Sequence, residues 1–169
     1  MKLSNSVTAW ILLVSMTLCI LSSCSEKVHD DNEQQLEFHD GFENQTIIDF
    51  YLDYVNDVEQ MTNSKEIFID YATYDLNDDE LNDYLVFISS PLHSGSHGDT
   101  FHILLNKGDG GYEIIASLTV QMYDQTDRRN PVVFVSSEKT NAYYDIILHQ
   151  IDSLVILNYY NGGYTVQNS

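Results

Sequence analysis

The sequence predicts a mostly β domain with one N-terminal amphipathic helix (α+β), its strands forming two blade-like antiparallel units in a sandwich-like or partial-propeller arrangement. Three observations carry that expectation. One early segment places apolar residues at three- and four-residue steps; everything after it alternates with period two; and part of the period-two region repeats itself.

The helical segment runs from Thr46 to Met61. Ile47, Tyr51, Tyr54, Val55, Val58 and Met61 form one apolar stripe, with Thr46 as the expected N-cap and Asp49 as its capping-box partner. Asp49, Asp53 and Asp57 recur every fourth residue on the opposite side, where like charges repel by a few tenths of a kcal/mol per pair. That side reads as a solvated face.

Eight strands follow: Glu66–Tyr74, Tyr84–Ser89, Thr100–Asn106, Tyr112–Val120, Pro131–Ser136, Tyr143–His149, Leu154–Tyr159 and Gly163–Gln167. Turn-rich stretches such as Asn106-Lys107-Gly108-Asp109-Gly110-Gly111 separate them. The 12 Tyr and 7 Phe of the chain suit half-buried sheet faces, and successive short strands imply a meander.

The repeat lies within these strands. Ile103 to Ile114 (ILLNKGDGGYEI) and Val155 to Val166 (VILNYYNGGYTV) align without gaps, with Leu, Asn, Gly, Gly and Tyr coinciding. Upstream, Asp83-Tyr84-Leu85-Val86-Phe87 and Asp145-Ile146-Ile147-Leu148 open comparable apolar runs, with a shorter connection in the second copy. Two units of about four strands each are therefore expected, spanning about 74–120 and 131–169 inside one domain of residues 44–169.

The most chemical stretch heads the first unit: Asp75-Leu76-Asn77-Asp78-Asp79-Glu80-Leu81-Asn82-Asp83. Asp75, Asn77, Asp79 and Asp83 occupy loop positions 1, 3, 5 and 9, and the Leu81 carbonyl stands at position 7. Oxygens so spaced can turn inward together, and Ca2+ takes about 6–8 hard oxygen ligands. Without a cation, the carboxylates oppose one another.

From Tyr74 to Ile115 the chain resembles an FG-GAP/VCBS-type repeat, in which a D-x-[DN]-x-D-G-x-x-D loop precedes an apolar strand and a later Leu-Leu-Asn, Gly-Asp-Gly hairpin. The resemblance implies that Asp75, Asn77, Asp79 and Asp83 are calcium ligands. It departs at Glu80, where the family usually has Gly, a residue suited to unusual backbone conformations. In the second unit Ser137, Lys139 and Asn141 replace the first three ligands, so no ion is expected there. The family normally builds many-bladed propellers; two units cannot close one, so packing face to face or as a wedge, with the helix over an exposed face, is expected.

The N-terminus supplies an address. Lys2 precedes the apolar run Val7 to Ile20, which is short for a membrane-spanning helix and reads as a signal h-region. Leu21-Ser22-Ser23-Cys24 resembles the bacterial lipobox, which implies that residues 1–23 are removed and that Cys24 carries lipid, palmitate included. Cys19 leaves with the signal, so no disulfide is expected in the mature chain. Residues 24–43 are acidic and aperiodic and read as a flexible tether. Outer-membrane anchoring on the periplasmic or surface face is the expected localisation.

The chain carries 26 acidic residues against 7 basic ones, a formal net charge of −19. Such a field repels phosphate backbones, so nucleic-acid partners are not expected, whereas cations, basic proteins or a glycan are. A second constellation, His93, His97, Asp99 and His102, contains metal-ligand types, but its Gly- and Ser-rich setting favours a polar surface loop over a zinc site. No G-x-S-x-G elbow, H-E-x-x-H helix or Cys nucleophile occurs, so no catalytic residue is named and the chain reads as a non-enzyme. Three classes stay open: a non-enzymatic binding lipoprotein, an inhibitor or immunity lipoprotein against a basic secreted enzyme, and a metal-dependent hydrolase.

Overall fold

The computed structural model describes residues 33–62, 66–90, 98–121, 131–150 and 153–167. The signal segment, Cys24, His93 and His97 lie outside them. The described chain is two five-stranded antiparallel sheets and one helix. The elements run β1 (Gln34–Gln35), β2 (His39–Asp40), a 3-10 turn (Gly41–Glu43), α1 (Gln45–Thr62), β3 (Phe68–Tyr74), β4 (Asp83–Ser89) and β5 (Asp99–Asn106). They continue with β6 (Tyr112–Val120), β7 (Val132–Thr140), β8 (Tyr143–His149), β9 (Leu154–Tyr160) and β10 (Gly163–Val166).

Each sheet is a four-strand meander with one short strand added at its head: β2-β3-β4-β5-β6 and β1-β7-β8-β9-β10. All eight strands expected from the period-two pattern are present, and the repeated hairpins occupy the same place in each sheet, β5–β6 and β9–β10. The first meander starts at Phe68, before the expected position 74, because Phe68–Tyr74 pairs with β4 along its whole length. Residues 34–43, expected within the tether, are built into the fold. Gln34 and Gln35 pair with β7, the Leu36 N–H donates to the Val133 carbonyl at 2.9 Å, and His39 and Asp40 pair with β3. Leu36 supplies the reason: it is an apolar side chain buried between the two short strands.

The sheets pack face to face, not as propeller blades. Ala72, Leu85, Phe87, Phe101 and Ile103 of one sheet share a core with Val133, Val135, Ile146, Leu148 and Leu157 of the other. Along one side β10 lies against β6, so closely that a Cβ on Gly163 would stand 2.6 Å from the Ile115 carbonyl oxygen. β4 shows why an uninterrupted apolar run can be a strand. Leu85 and Phe87 face the other sheet, while Val86 and Ile88 join Ile47, Tyr51 and Val58 of α1 in a second core.

The helix spans one residue more at each end than its stripe predicts, and its cap differs. Asn44, not Thr46, accepts the first free N–H groups, from Thr46 at 3.0 Å and Ile47 at 3.4 Å, while Asp49 accepts from the Gln45 side chain. Met61 ends the stripe in solvent at 74% exposure, and Asp49, Asp53 and Asp57 are exposed as expected.

Candidate cation loop and aromatic groove

The acidic loop joins β3 to β4, and its side chains fold back on its own backbone. Asp75 Oδ1 accepts from the N–H groups of Asp79 (3.1 Å) and Asn77 (3.4 Å), and its Oδ2 accepts from Glu80 (2.9 Å). Asn77 Oδ1 accepts from Asp79 N–H at 3.2 Å, and Asp79 Oδ1 accepts from Leu81 N–H at 2.9 Å. Asp79 Oδ2 takes the Asn77 amide at 2.9 Å. The coil requires left-handed backbone at Asp78 (φ 59°) and Glu80 (φ 67°). Glu80 therefore stands in a left-handed conformation that glycine would adopt without steric cost.

Asp83 does a different job from the other three. It is wholly buried, its Oδ2 accepts from Leu76 N–H at 3.1 Å and its Oδ1 from Asn106 N–H at 2.9 Å, so it ties the loop to the end of β5. Burial pushes its carboxyl up to about 6; Asp79 and Asp75 add repulsion, and the two backbone N–H groups pull the other way. Leu76 completes the tie: its side chain is buried in the inter-sheet core, and its carbonyl accepts from Tyr144 N–H of the second sheet at 2.8 Å.

The donor set is hard oxygen throughout, which suits Ca2+ rather than a softer metal. Among the described residues, no three His, Cys, Asp or Glu side chains are gathered closely enough to share an ion. Ligation would draw Asp79, which is exposed, toward Asp75; Asp75 Oδ1 already accepts two N–H groups, whereas Asp75 Oδ2 and the oxygens of Asp79 and Asp83 accept one each and keep a second lone pair for a cation. One cation already reaches the loop: Lys139 Nζ pairs with Asp78 and lies 3.9 Å over the Tyr144 ring, and the contact holds the Asp78 carboxyl below its usual range.

The second unit has no counterpart of the loop. Thr140 and Tyr143 are joined by the two-residue turn Asn141-Ala142, both at positive φ, as Asn161-Gly162 join Tyr160 and Gly163. Asp145, which matches Asp83 in the sequence repeat, is buried with its Oδ1 unpartnered, because the second unit lacks the segment that supplies Leu76 N–H in the first.

Of the second constellation, Asp99 opens β5 and His102 stands in its middle, engaged by protein groups. Tyr51 Oη lies 2.9 Å from His102 Nδ1, and Ser117 Oγ lies 3.1 Å from His102 Nε2, Ser117 being the cross-strand partner of His102. The three line a groove of about 560 Å3 between α1 and the β5–β6 pair. Sequence reading missed this arrangement, because its members are 51 and 15 residues from His102. The period-two pattern placed His102 and Ser117 on strands; only the register makes them neighbours.

No family model, no curated protein and no solved structure matches this chain.

Proposed function

We propose that the chain is a lipid-anchored binding module of the bacterial cell envelope, tethered through Cys24 to the outer membrane, whose acidic loop takes Ca2+ through Asp75, Asn77, Asp79, the Leu81 carbonyl and Asp83. The observation that carries the cation reading is the backbone at Glu80. A Glu held at φ 67° costs free energy that the family's usual Gly would avoid, yet the loop keeps the coiled path that turns Asp75, Asn77 and Asp79 inward. The Asp83 carboxyl, raised first by its burial and to a smaller degree by Asp79 and Asp75, stands beside them as a further hard oxygen donor. The lipid address is supported by the lipobox-like Leu21-Ser22-Ser23-Cys24 and by an ordered domain that starts only a short chain length later, at β1.

Isothermal titration calorimetry of Ca2+ into the full-length protein in detergent tests the cation reading. Saturable one-site uptake is expected, absent in the Asp75→Ala, Asp79→Ala chain; uptake unaltered by those substitutions would contradict it. Mg2+ is expected to compete poorly, since it demands a smaller and stricter oxygen shell.

A further inference from the structure

Tyr51 is 4% exposed, burial pushes its phenol far above the usual range, and among the described residues its hydroxyl has one partner, His102 Nδ1. Donation from Tyr51 to Nδ1 is the arrangement that leaves no buried O–H proton without an acceptor, so the geometry favours it. His102 then carries its own proton on Nε2 and donates it to Ser117 Oγ. The chain of three runs in one direction, from Tyr51 through His102 to Ser117. In that tautomer Nε2 is a donor toward Ser117 and not a base. This leaves the Ser117 O–H as an oriented donor at the exposed end of the relay.

The rest of the lining narrows what that donor meets. Phe50 and Tyr54 form an aromatic wall on α1, and Thr100 and Thr119 set further hydroxyls on the floor beside Ser117. Among the described residues no Asp, Glu, Lys or Arg lines the groove, in a chain of net charge −19. A charged ligand would find no counter-ion among those residues, and an anion would be repelled by the net charge. A bare acyl chain would desolvate three hydroxyls without giving them partners, a cost of about 1–3 kcal/mol each. On the groove floor an extended peptide would find the facing backbone groups of β5 and β6 already paired in their ladder, leaving only the outer edge of β6, against which β10 lies. A neutral sugar ring meets both surfaces, with an apolar face for Phe50 and Tyr54 and hydroxyls for Ser117, Thr100 and Thr119.

We infer that the groove between α1 and the β5–β6 pair binds an uncharged glycan, one ring stacked on Phe50 and Tyr54 and hydrogen-bonded to Ser117. The inference rests on the binding-module reading and names that module's ligand class and site; it does not depend on the acidic loop.

Saturation-transfer NMR of the full-length protein in detergent, with cellotriose, maltotriose and tri-N-acetylchitotriose at millimolar concentration, tests it. Transfer to at least one of the three is expected, weakened about fivefold in Ser117→Ala and abolished in Phe50→Ala. Because Phe50 is partly buried, Thr119→Val on the exposed strand surface serves as a second variant, expected to weaken binding by a factor of about three while leaving the fold intact. Met61→Ala, at a solvent-facing position of α1, is expected to change nothing. No transfer from any trisaccharide overturns the inference, as does transfer that Ser117→Ala and Thr119→Val leave unchanged, or displacement of the sugar by sodium palmitate. Calorimetric Ca2+ uptake measured on the same samples separates the two claims: uptake without sugar binding defeats the glycan inference alone, and sugar binding without uptake defeats only the cation reading.

Discussion

Replacing Glu80 by Gly isolates the strain stored in the acidic loop. A non-glycine residue in the left-handed region costs about 1–2 kcal/mol, and Glu80 sits there at φ 67°. Glycine removes that cost but adds about 0.5–1 kcal/mol of chain entropy to the unfolded state. The hydrogen bond from residue 80 to Asp75 Oδ2 is made by the backbone N–H and survives the substitution. The net expectation is a gain of about 0.5–1 kcal/mol, roughly 2–4 °C in melting temperature for a domain of this size. Circular dichroism melts in chelator measure it. Ala142→Gly is the companion variant: Ala142 has φ 73° in a two-residue hairpin that supplies none of the proposed ligands, where the equivalent turn uses Gly162. Both variants are expected to gain similarly in chelator, while only Glu80→Gly is expected to tighten Ca2+ binding. A Glu80→Gly chain that melts lower than the parent would refute the strain argument.

Further outcomes follow from the buried groups. In chelator, the Asp83 carboxyl keeps its proton in the folded chain to about pH 6, against 3.8 when unfolded. Folded protein thus binds more protons than unfolded between those values, and stability falls as pH rises from about 4 to about 6, by at most about 3 kcal/mol from this group. Urea unfolding across that range should show the loss in the parent and its absence in Asp83→Asn. Asp145→Asn, which replaces a buried carboxyl whose Oδ1 has no partner, should raise stability by about 1 kcal/mol, and a lower melting temperature would contradict that assignment. Gly163→Ala should cost about 2 kcal/mol, because its Cβ would press on the Ile115 carbonyl oxygen at 2.6 Å; a neutral effect on the urea midpoint would mean that β10 and β6 are not held so close.

The strands were legible because each half-buried face writes a period-two pattern, and β4, buried on both faces, still announces itself through Leu85-Val86-Phe87-Ile88 between turn-rich loops. The repeat of hairpin 103–114 at 155–166 gave the two-meander layout, since the same Asn and Gly-Gly-Tyr residues shape the same corner. Residues 34–43 were illegible: two-residue strands leave no periodicity, and their place in the fold rests on pairing with β7 and β3 and on the burial of Leu36 and Gly41. In the loop, spacing revealed the inward-turning oxygens but not the division of labour, in which Asp83 anchors backbone and Lys139 pairs with Asp78 across 61 residues. The groove was illegible for the same reason, as register and helix placement, not sequence proximity, bring Tyr51, His102 and Ser117 together.

The central claim is that the loop from Asp75 to Asp83 is organised by a cation, and a thermal melt with and without Ca2+ tests it most directly. A ligand that binds only the folded chain raises stability in proportion to the logarithm of its concentration above the dissociation constant, about 2.7 kcal/mol at a hundredfold excess. The melting temperature is expected to climb through millimolar Ca2+ in the parent chain and to stay flat in Asp75→Ala, Asp79→Ala. A parent chain unmoved by millimolar Ca2+, or a double variant stabilised equally, would contradict it.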